Sequence, residues 1–219
     1  SAQIKALQQQ INPHFIYNSM ETLIGMASEG MDREIIEICK CISAMLRYNT
    51  KMAQSSTLKE ELTQIQNYTK VLAIRMGGSF EPRYQIDPEC LDGKIVKFSL
   101  QPLVENAIGH GMGNRSEGGV VYVGISRYGK EVEIRIRDNG CGISPVKLAR
   151  LREQMLAEGE NYLQMMENSS NTGLLNVHLR MKLYFGQAYS MDIQSEMGKG
   201  TDIRLVIPYW KEGMECIGS

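Results

Sequence analysis

No apolar run in this 219-residue sequence approaches the roughly 18 residues that a membrane span requires. No stretch has the basic start and long apolar centre of a signal peptide, so the piece is expected to be soluble. Charge of one sign is equally scarce. The formal net charge is −1, which leaves no global basic field to draw in nucleic acid or an acidic membrane. The five cysteines, Cys39, Cys41, Cys90, Cys141 and Cys216, make no disulfide framework, because the count is odd and the spacing unpaired. Cys39 and Cys41 would lie about 200° apart on a helix, so they form no metal clamp. Free thiols in a reducing cytoplasm are expected. No internal repeat or low-complexity stretch stands out. The apolar pattern is already under way at Ile4, so the chain is expected to be part of a longer protein.

What is present is a hydrophobic content of 42%, enough for one domain with a sizeable core and a smaller second one. Residues 1–56 read as a helical hairpin. Its first helix carries Ile4, Leu7, Ile11 and Phe15, then Met20, Leu23, Ile24 and Ala27, and ends at Ser28-Glu29-Gly30. Asp32 can cap a second helix carrying Ile35, Ile36, Ile38, Ile42, Met45 and Leu46. Such a hairpin cannot bury enough apolar surface alone, so a homodimer in a four-helix bundle is expected. Gln54-Ser55-Ser56 reads as a linker.

Residues 57–212 read as a second domain. Thr57-Leu58-Lys59-Glu60 has capping-box form and opens a helix running to about Met76, stopped by Gly77-Gly78. Short strands are predicted over Phe80 to Ile86 and Ile95 to Phe98, and a helix from Ser99 to about Met112. Val121, Val123 and Ile125, then Val132, Ile134 and Ile136, alternate with polar or small residues as a hairpin with one buried face. Asn171 to Tyr184 becomes helical, and Met191 to Ile207 forms a last hairpin across Gly198-Lys199-Gly200. Antiparallel strand pairs with interspersed helices indicate an α+β two-layer sandwich.

Within that domain four segments suit a nucleotide. Asn106 and His110 stand four apart on the polar face of an amphipathic helix, with Glu105 at their edge. An amide oxygen can ligate Mg²⁺, and an imidazole can meet phosphate. Spacing alone makes this helix merely amphipathic. Asp138-Asn139-Gly140-Cys141-Gly142 follows a strand directly. An Asp there can accept a hydrogen bond from the exocyclic amine of adenine, and glycines allow close approach to a flat base. Taken alone, the motif is a turn. The polar stretch of about 144–172 can act as a lid. Thr172-Gly173-Leu174 then opens a helix whose N–H groups suit a phosphate. Gly198-Lys199-Gly200-Thr201 adds another close backbone approach. Gly124 to Lys130 nearly fits a phosphate loop, but Glu131 follows and the segment is a strand turn.

These segments, in this order, resemble the Bergerat-fold ATPases shared by DNA gyrase, the MutL repair proteins, a class of heat-shock chaperones and histidine kinases. Gln101 to Ile108 looks like the N box, Asp138 to Gly142 the G1 box, Gly173 to Asn176 the G2 box, and Gly198 to Thr201 the G3 element. His14 lies in Leu7 to Asn18 (Leu-Gln-Gln-Gln-Ile-Asn-Pro-His-Phe-Ile-Tyr-Asn), and on its own a histidine beside an apolar stripe is most often a packed or surface residue. That segment resembles the LytS/YesM-type sensor histidine kinases. So do Leu46-Arg47-Tyr48, Asn67-Tyr68 with Arg75, and Tyr184-Phe185-Gly186.

The resemblance implies ATP and Mg²⁺ as cofactors, with Asn106 on the metal and Asp138 on the adenine amine. It places Gly140, Gly142, Gly173 and Leu174 along the nucleotide, Thr201 at the base-binding end and His110 near the phosphates. It makes His14 the acceptor of the γ-phosphoryl group, which then passes to an aspartate on a response regulator. It also implies a place on the cytoplasmic side of a membrane for the whole protein, held through segments absent from this sequence. The base is open between Glu105 and Glu21. Pro13 removes one helical hydrogen bond and crowds the Gln9 carbonyl, which would loosen the backbone beside His14. Two positions depart from the family. Gly109 stands where Lys or Arg is usual, and Asn171 where the first G2 glycine is usual. Two alternatives follow: a nucleotide-binding dimeric scaffold with weak or no activity, and an ATPase without phosphohistidine chemistry.

Overall fold

A computed structural model describes residues 13–111, 118–156 and 172–211. Ile4, Leu7, Ile11, Gln9, Met112, Asn171 and Cys216 therefore lie outside the described residues. Helix α1 spans Pro13–Ser28 and α2 spans Asp32–Thr50. Pro13 is the first described residue of α1, and its expected effect on the Gln9 carbonyl lies outside the described residues. Met31, not Asp32, occupies the cap position of α2 and makes no side-chain cap bond. Asp32 and Glu34 sit in the first turn, where carboxylates complement the helix dipole.

The hairpin does not present one apolar stripe. Ile38, Cys41, Ile42, Met45 and Tyr48 of α2 turn inward, as do Phe15 and Met26 of α1. Tyr17, Met20, Ile24, Ile36 and Leu46 turn outward, with Tyr17 70% and Ile24 72% exposed. Cys41 is buried and Cys39 exposed, as their separation around the helix demands. The inward face packs on α3, Leu58–Arg75. The Phe15 and Tyr68 rings meet at 5.1 Å, so one core runs from the hairpin into the rest of the chain.

Gln54-Ser55-Ser56 is not an unstructured linker. Strand β1, Ser55–Thr57, pairs antiparallel with β3, Lys94–Val96. Lys97 N donates to Gln54 O at 3.0 Å, and Leu58 N to Gly93 O at 2.8 Å. The polar local composition hides a partner far downstream. The capping box forms: Glu60 N donates to Thr57 Oγ1 at 3.2 Å and Thr57 N to Glu60 Oε2 at 3.1 Å.

The main sheet has the order β2-β4-β5-β7-β6. Its strands are β2 Phe80–Ile86, β4 Gly119–Tyr128, β5 Glu131–Asp138, β6 Ser190–Glu196 and β7 Gly200–Pro208. All neighbours are antiparallel except β2 and β4, which are parallel. Between those two the chain makes β3 and α4, Leu100–Asn106, which supply the crossover that a parallel pair needs. α4 continues as a π-helical turn, Ala107–Gly111, so the helix expected to reach about Met112 is followed to Gly111. One sheet face buries Val121, Val123, Ile125, Val132, Ile134, Ile136, Ile193, Ile203, Leu205 and Ile207. Helices cover it, giving the two-layer α+β architecture that the sequence predicts.

The stretch read as a lid contains helix α5, Pro145–Leu156, with Leu148, Leu151 and Met155 buried on one face. Arg152 donates to Ile193 O at 2.5 Å, tying α5 to β6. Residues 157–171 of that stretch lie outside the described residues. Helix α6 follows over Thr172–Phe185. Among the described residues no helix is long and apolar enough to cross a membrane.

Candidate functional site

Asp138 ends β5 and is 7% exposed. Its Oδ1 accepts from Gly140 N at 2.8 Å, folding the chain into a tight turn. Asn139 is structural: its Oδ1 accepts from Val120 N at 2.8 Å and its Nδ2 donates to Gly118 O at 3.0 Å. Arg137 pairs with Asp202 across β5 and β7, so Asp138 and Thr201 come next in register. Side chains alternate along a strand, so both belong to the buried, helix-covered face.

The glycines here answer first to the chain itself. Gly142 has φ +69°, and a Cβ on it would fall 2.1 Å from Glu196 O. Gly200 has φ +103°, and a Cβ would fall 2.0 Å from Asp138 O. The turn after β5 and the turn between β6 and β7 thus interlock. Ser195 completes the lock: its hydroxyl accepts from Ile143 N at 2.8 Å, donates to Gly200 O at 2.9 Å and lies 3.0 Å from Thr201 Oγ1. Nothing in the local sequence marks Ser195, because its partners lie in two other segments, at Ile143 and at Gly200-Thr201.

α4 buries Leu100, Leu103 and Val104, and its continuation buries Ala107 and Ile108. Glu105 and Asn106 are half-buried beside that face. The first turn of α6 lies against Asn106: a Cβ at Gly173 would be 3.7 Å from Asn106 Nδ2 and 3.9 Å from Pro102 Cβ. Leu174 is buried next to it. The π turn packs against β5 and β7, the strands whose ends carry Asp138 and Thr201. A π turn within a helix often accompanies a functional site. The His110 side chain lies outside the described residues, and so does that of Thr172.

Two buried polar atoms in this part of the chain have no hydrogen-bond partner among the described residues: Asn176 Oδ1, one helical turn from Gly173, and Arg75 Nη1. An unsatisfied acceptor and donor are what a cation and an anion would complete. Mg²⁺ takes oxygen ligands and few of them from protein, so the amide oxygen of Asn106 fits such an ion. Gly109 is exposed, and nothing lies within 4 Å of where its Cβ would be, so no steric demand explains the glycine.

Glu105 Oε1 accepts from Gln101 Nε2 at 2.8 Å. Burial pushes its carboxyl above the usual range, partly offset by that bond. Burial also raises the Tyr68 phenol, with the nearby Glu105 charge adding to the shift. His14 belongs to another element, the exposed side of α1, where both ring nitrogens lie 3.3 Å from Asn18 Nδ2 one turn on. Its neighbour Phe15 packs on Tyr68, which in turn faces Glu105.

Sequence patterning misses a charged group at the start of α4: buried Glu61 and Lys97 with half-buried Arg180. Its one sequence signal is a carboxylate on the apolar stripe of α3, between Leu58 and Ile65.

Two family models match successive parts of the chain. A family model described as "Histidine kinase" matches residues 2–80. One described as "Histidine kinase-, DNA gyrase B-, and HSP90-like ATPase" matches residues 92–211. The chain is 33% identical over 211 residues to the sensor histidine kinase YpdA of Escherichia coli K12, covering 94% of this chain and 34% of that protein. It is 32% identical over 213 residues to the sensor protein LytS of Staphylococcus epidermidis, covering 95% and 34%. It is 31% identical over 218 residues to the sensor histidine kinase/phosphatase LytS of Staphylococcus aureus, covering 98% and 35%. The chain thus spans about a third of the length of the curated relatives it matches. Among solved structures, full-length ShkA in complex with AMPPNP matches with a TM-score of 0.51 at 14% identity, over 97% of this chain and 47% of that one. The catalytic domain of histidine kinase ThkA matches with a TM-score of 0.50 at 15% identity, over 71% and 94%. These two likenesses bear on the fold.

Proposed function

The chain belongs to the histidine kinase-, DNA gyrase B- and HSP90-like ATPase family, among its LytS/YesM-type sensor histidine kinases, and on that premise we propose that it transfers the γ-phosphoryl group of ATP to His14 and then to an aspartate of a response regulator. The observation that carries this reading is the seating of the first turn of α6, at Gly173, against Asn106 of α4. Helix N–H groups, which favour phosphate, then stand beside the side-chain amide of Asn106, whose oxygen suits Mg²⁺.

In this proposal Asp138 accepts the adenine amine, Thr201 supports the base end, and Gly140, Gly142, Gly173 and Leu174 line the nucleotide. His110 lies near the phosphates, and Asn106 holds Mg²⁺, which neutralises phosphate charge when bound. The lone pair of a His14 ring nitrogen forms the N–P bond as the bond from phosphorus to the bridging oxygen breaks, and ADP leaves. Neutral imidazole is a competent nucleophile near pH 7. Glu105 is the proposed base for the imidazole proton, and a carboxyl raised by burial suits that task. Asn18 holds the ring. In the second step an aspartate oxygen takes the phosphorus, the N–P bond breaks, and His14 is restored.

The division into a phosphoacceptor hairpin, 1–56, and an ATP-binding domain, 57–212, with a lid over about 144–172, is kept as part of the proposal. The outward face of Tyr17, Met20, Ile24, Ile36 and Leu46 is proposed to pair with a second copy as a four-helix bundle. The whole protein is proposed to act at the cytoplasmic side of a membrane. Incubation with γ-labelled ATP and Mg²⁺ tests the function. Acid-labile, base-stable label that vanishes in His14→Ala is expected, and an unlabelled wild-type chain would overturn it. ATP binding without label would leave the ATPase alternative, and no binding would leave the scaffold.

A further inference from the structure

Two helix ends meet where α2 stops and α4 starts. A helix C-terminus presents bare carbonyls and an N-terminus presents bare N–H groups, so the two attract opposite charges. Lys97 answers the first: its ammonium donates to Tyr48 O at 2.7 Å and to Lys51 O at 2.5 Å. Glu61 answers the second: Oε1 accepts from Phe98 N at 2.7 Å, and Oε2 from Ser99 N at 2.9 Å and Leu100 N at 3.0 Å. Glu61 is 1% exposed and Lys97 2%. Arg180 of α6 donates to Lys97 O and Phe98 O.

The hairpin reaches into this junction. The Tyr48 hydroxyl donates to Glu61 Oε1 and lies 3.0 Å from Ser56 Oγ. Phe98, between Lys97 and the start of α4, has φ +58°, the one positive value at a non-glycine among the described residues. Such backbone persists where its surroundings over-determine it. A second line runs beside the first. Gln64 Nε2 donates to Asn49 Oδ1 at 3.3 Å and to Gln101 Oε1 at 3.1 Å, and Gln101 holds Glu105. Both lines begin in the last turn of α2 and end on α4. Successive turns of α3, at Glu61, Gln64 and Tyr68, meet α4 in order at residues 98–100, Gln101 and Glu105, so the two helices run parallel as one ruler.

We propose that Glu61, gripped by Tyr48 of the hairpin, is a positioning residue that sets the start of α4 and, through that helix, the place of Asn106. The proposal rests on the ATP reading above. Asn106 lies six residues beyond Leu100, about 9 Å along the helix, with no loop between. A misplacement of about 1 Å at a reacting centre can cost about a hundredfold, so a looser grip is enough to be read.

The test is Mg²⁺-ATP affinity by calorimetry on the whole chain. Tyr48→Phe removes one hydroxyl and leaves Glu61 its three N–H partners. Its expected result is a weaker affinity, by at most about tenfold, the limit set by the worth of one hydrogen bond to a charged group. A purely structural role would lower the melting temperature yet leave the affinity of the folded protein unchanged. Glu61→Gln should weaken affinity further, and the double variant should match Glu61→Gln alone, because the hydroxyl acts through the carboxylate. Should Glu61→Gln fail to fold, Tyr48→Phe decides alone. Wild-type binding beside unchanged affinity in Tyr48→Phe overturns this inference only, as does a double variant in which the losses multiply. No binding by the wild type overturns the ATP reading and this inference together.

Discussion

The two ends of α4 are built on opposite plans. At its start every free N–H from Phe98 to Leu100 is taken by one buried carboxylate, with the buried Lys97, the half-buried Arg180 and a tyrosine hydroxyl around it. At its far end the helix relaxes into a π turn, Gly109 stands open, and Asn106 meets the mere edge of a glycine. Rigidity lies on the side of the hairpin, and room lies on the side proposed for the nucleotide. That difference teaches where sequence change should cost folding and where it should cost chemistry.

The comparison breaks most visibly at Glu61. Glu61→Ala strands three buried N–H groups and leaves Lys97 and Arg180 uncompensated, so urea unfolding should show a loss of about 3–5 kcal/mol. At the other end, Asn106→Ala should lower His14 phosphorylation about 10²- to 10³-fold. Its urea midpoint should stay near the wild type, because the side chain is only half-buried. Equal stability losses for both variants would erase the contrast.

Glu105→Gln sharpens it, since the residue lies between the two ends. Phosphorylation should fall about 10²-fold if Glu105 is the base. Stability should move the other way. Burial raises the folded-state pKa of Glu105, so its charged form is the one the fold disfavours. Its contribution is fully present below the ordinary value of 4.5 and is lost as pH rises through the folded value. Glu105→Gln should therefore be more stable than wild type at neutral pH, with the gap closing as pH falls through the raised folded value and gone below 4.5. A gap that widens on acidification would contradict this. The smallest effect is expected at Gly109→Lys. Replacing a helical glycine should add about 0.5–1 kcal/mol. The new cation should tighten Mg²⁺-ATP binding a few fold, readable by calorimetry. An unchanged affinity would mean that no cation is wanted there.

Much of this was legible locally. The Thr57–Glu60 capping box, the alternation in β4 and β5, and the stop at Gly77-Gly78 are short-range signals, and each appears where the sequence puts it. The nucleotide segments were legible as residue types in order, before anything showed that α6 would seat on Asn106. Long-range pairing was not legible. Ser55–Thr57 carries loop composition, yet it finds β3. Ile36 and Leu46 follow the same helical period as Ile38 and Ile42, and only the presence of α3 decides which face is covered. Helix α5 was passed over because polar residues around it masked Leu148, Leu151 and Met155. Gly142 looks like a ligand-facing glycine, but Glu196 of the same chain already requires it.

One titration tests the nucleotide site most directly. Backbone amide NMR of the whole chain, with Mg²⁺ and a non-hydrolysable ATP analogue, reads every segment at once. The largest shifts are expected at Asn106 to Gly111, Asp138 to Gly142, Gly173 and Leu174, and Thr201, with Phe98 to Leu100 nearly still. Shifts concentrated at the start of α4, or absent from Asn106 and Gly173, would contradict the site and the division of α4 into a held end and a working end.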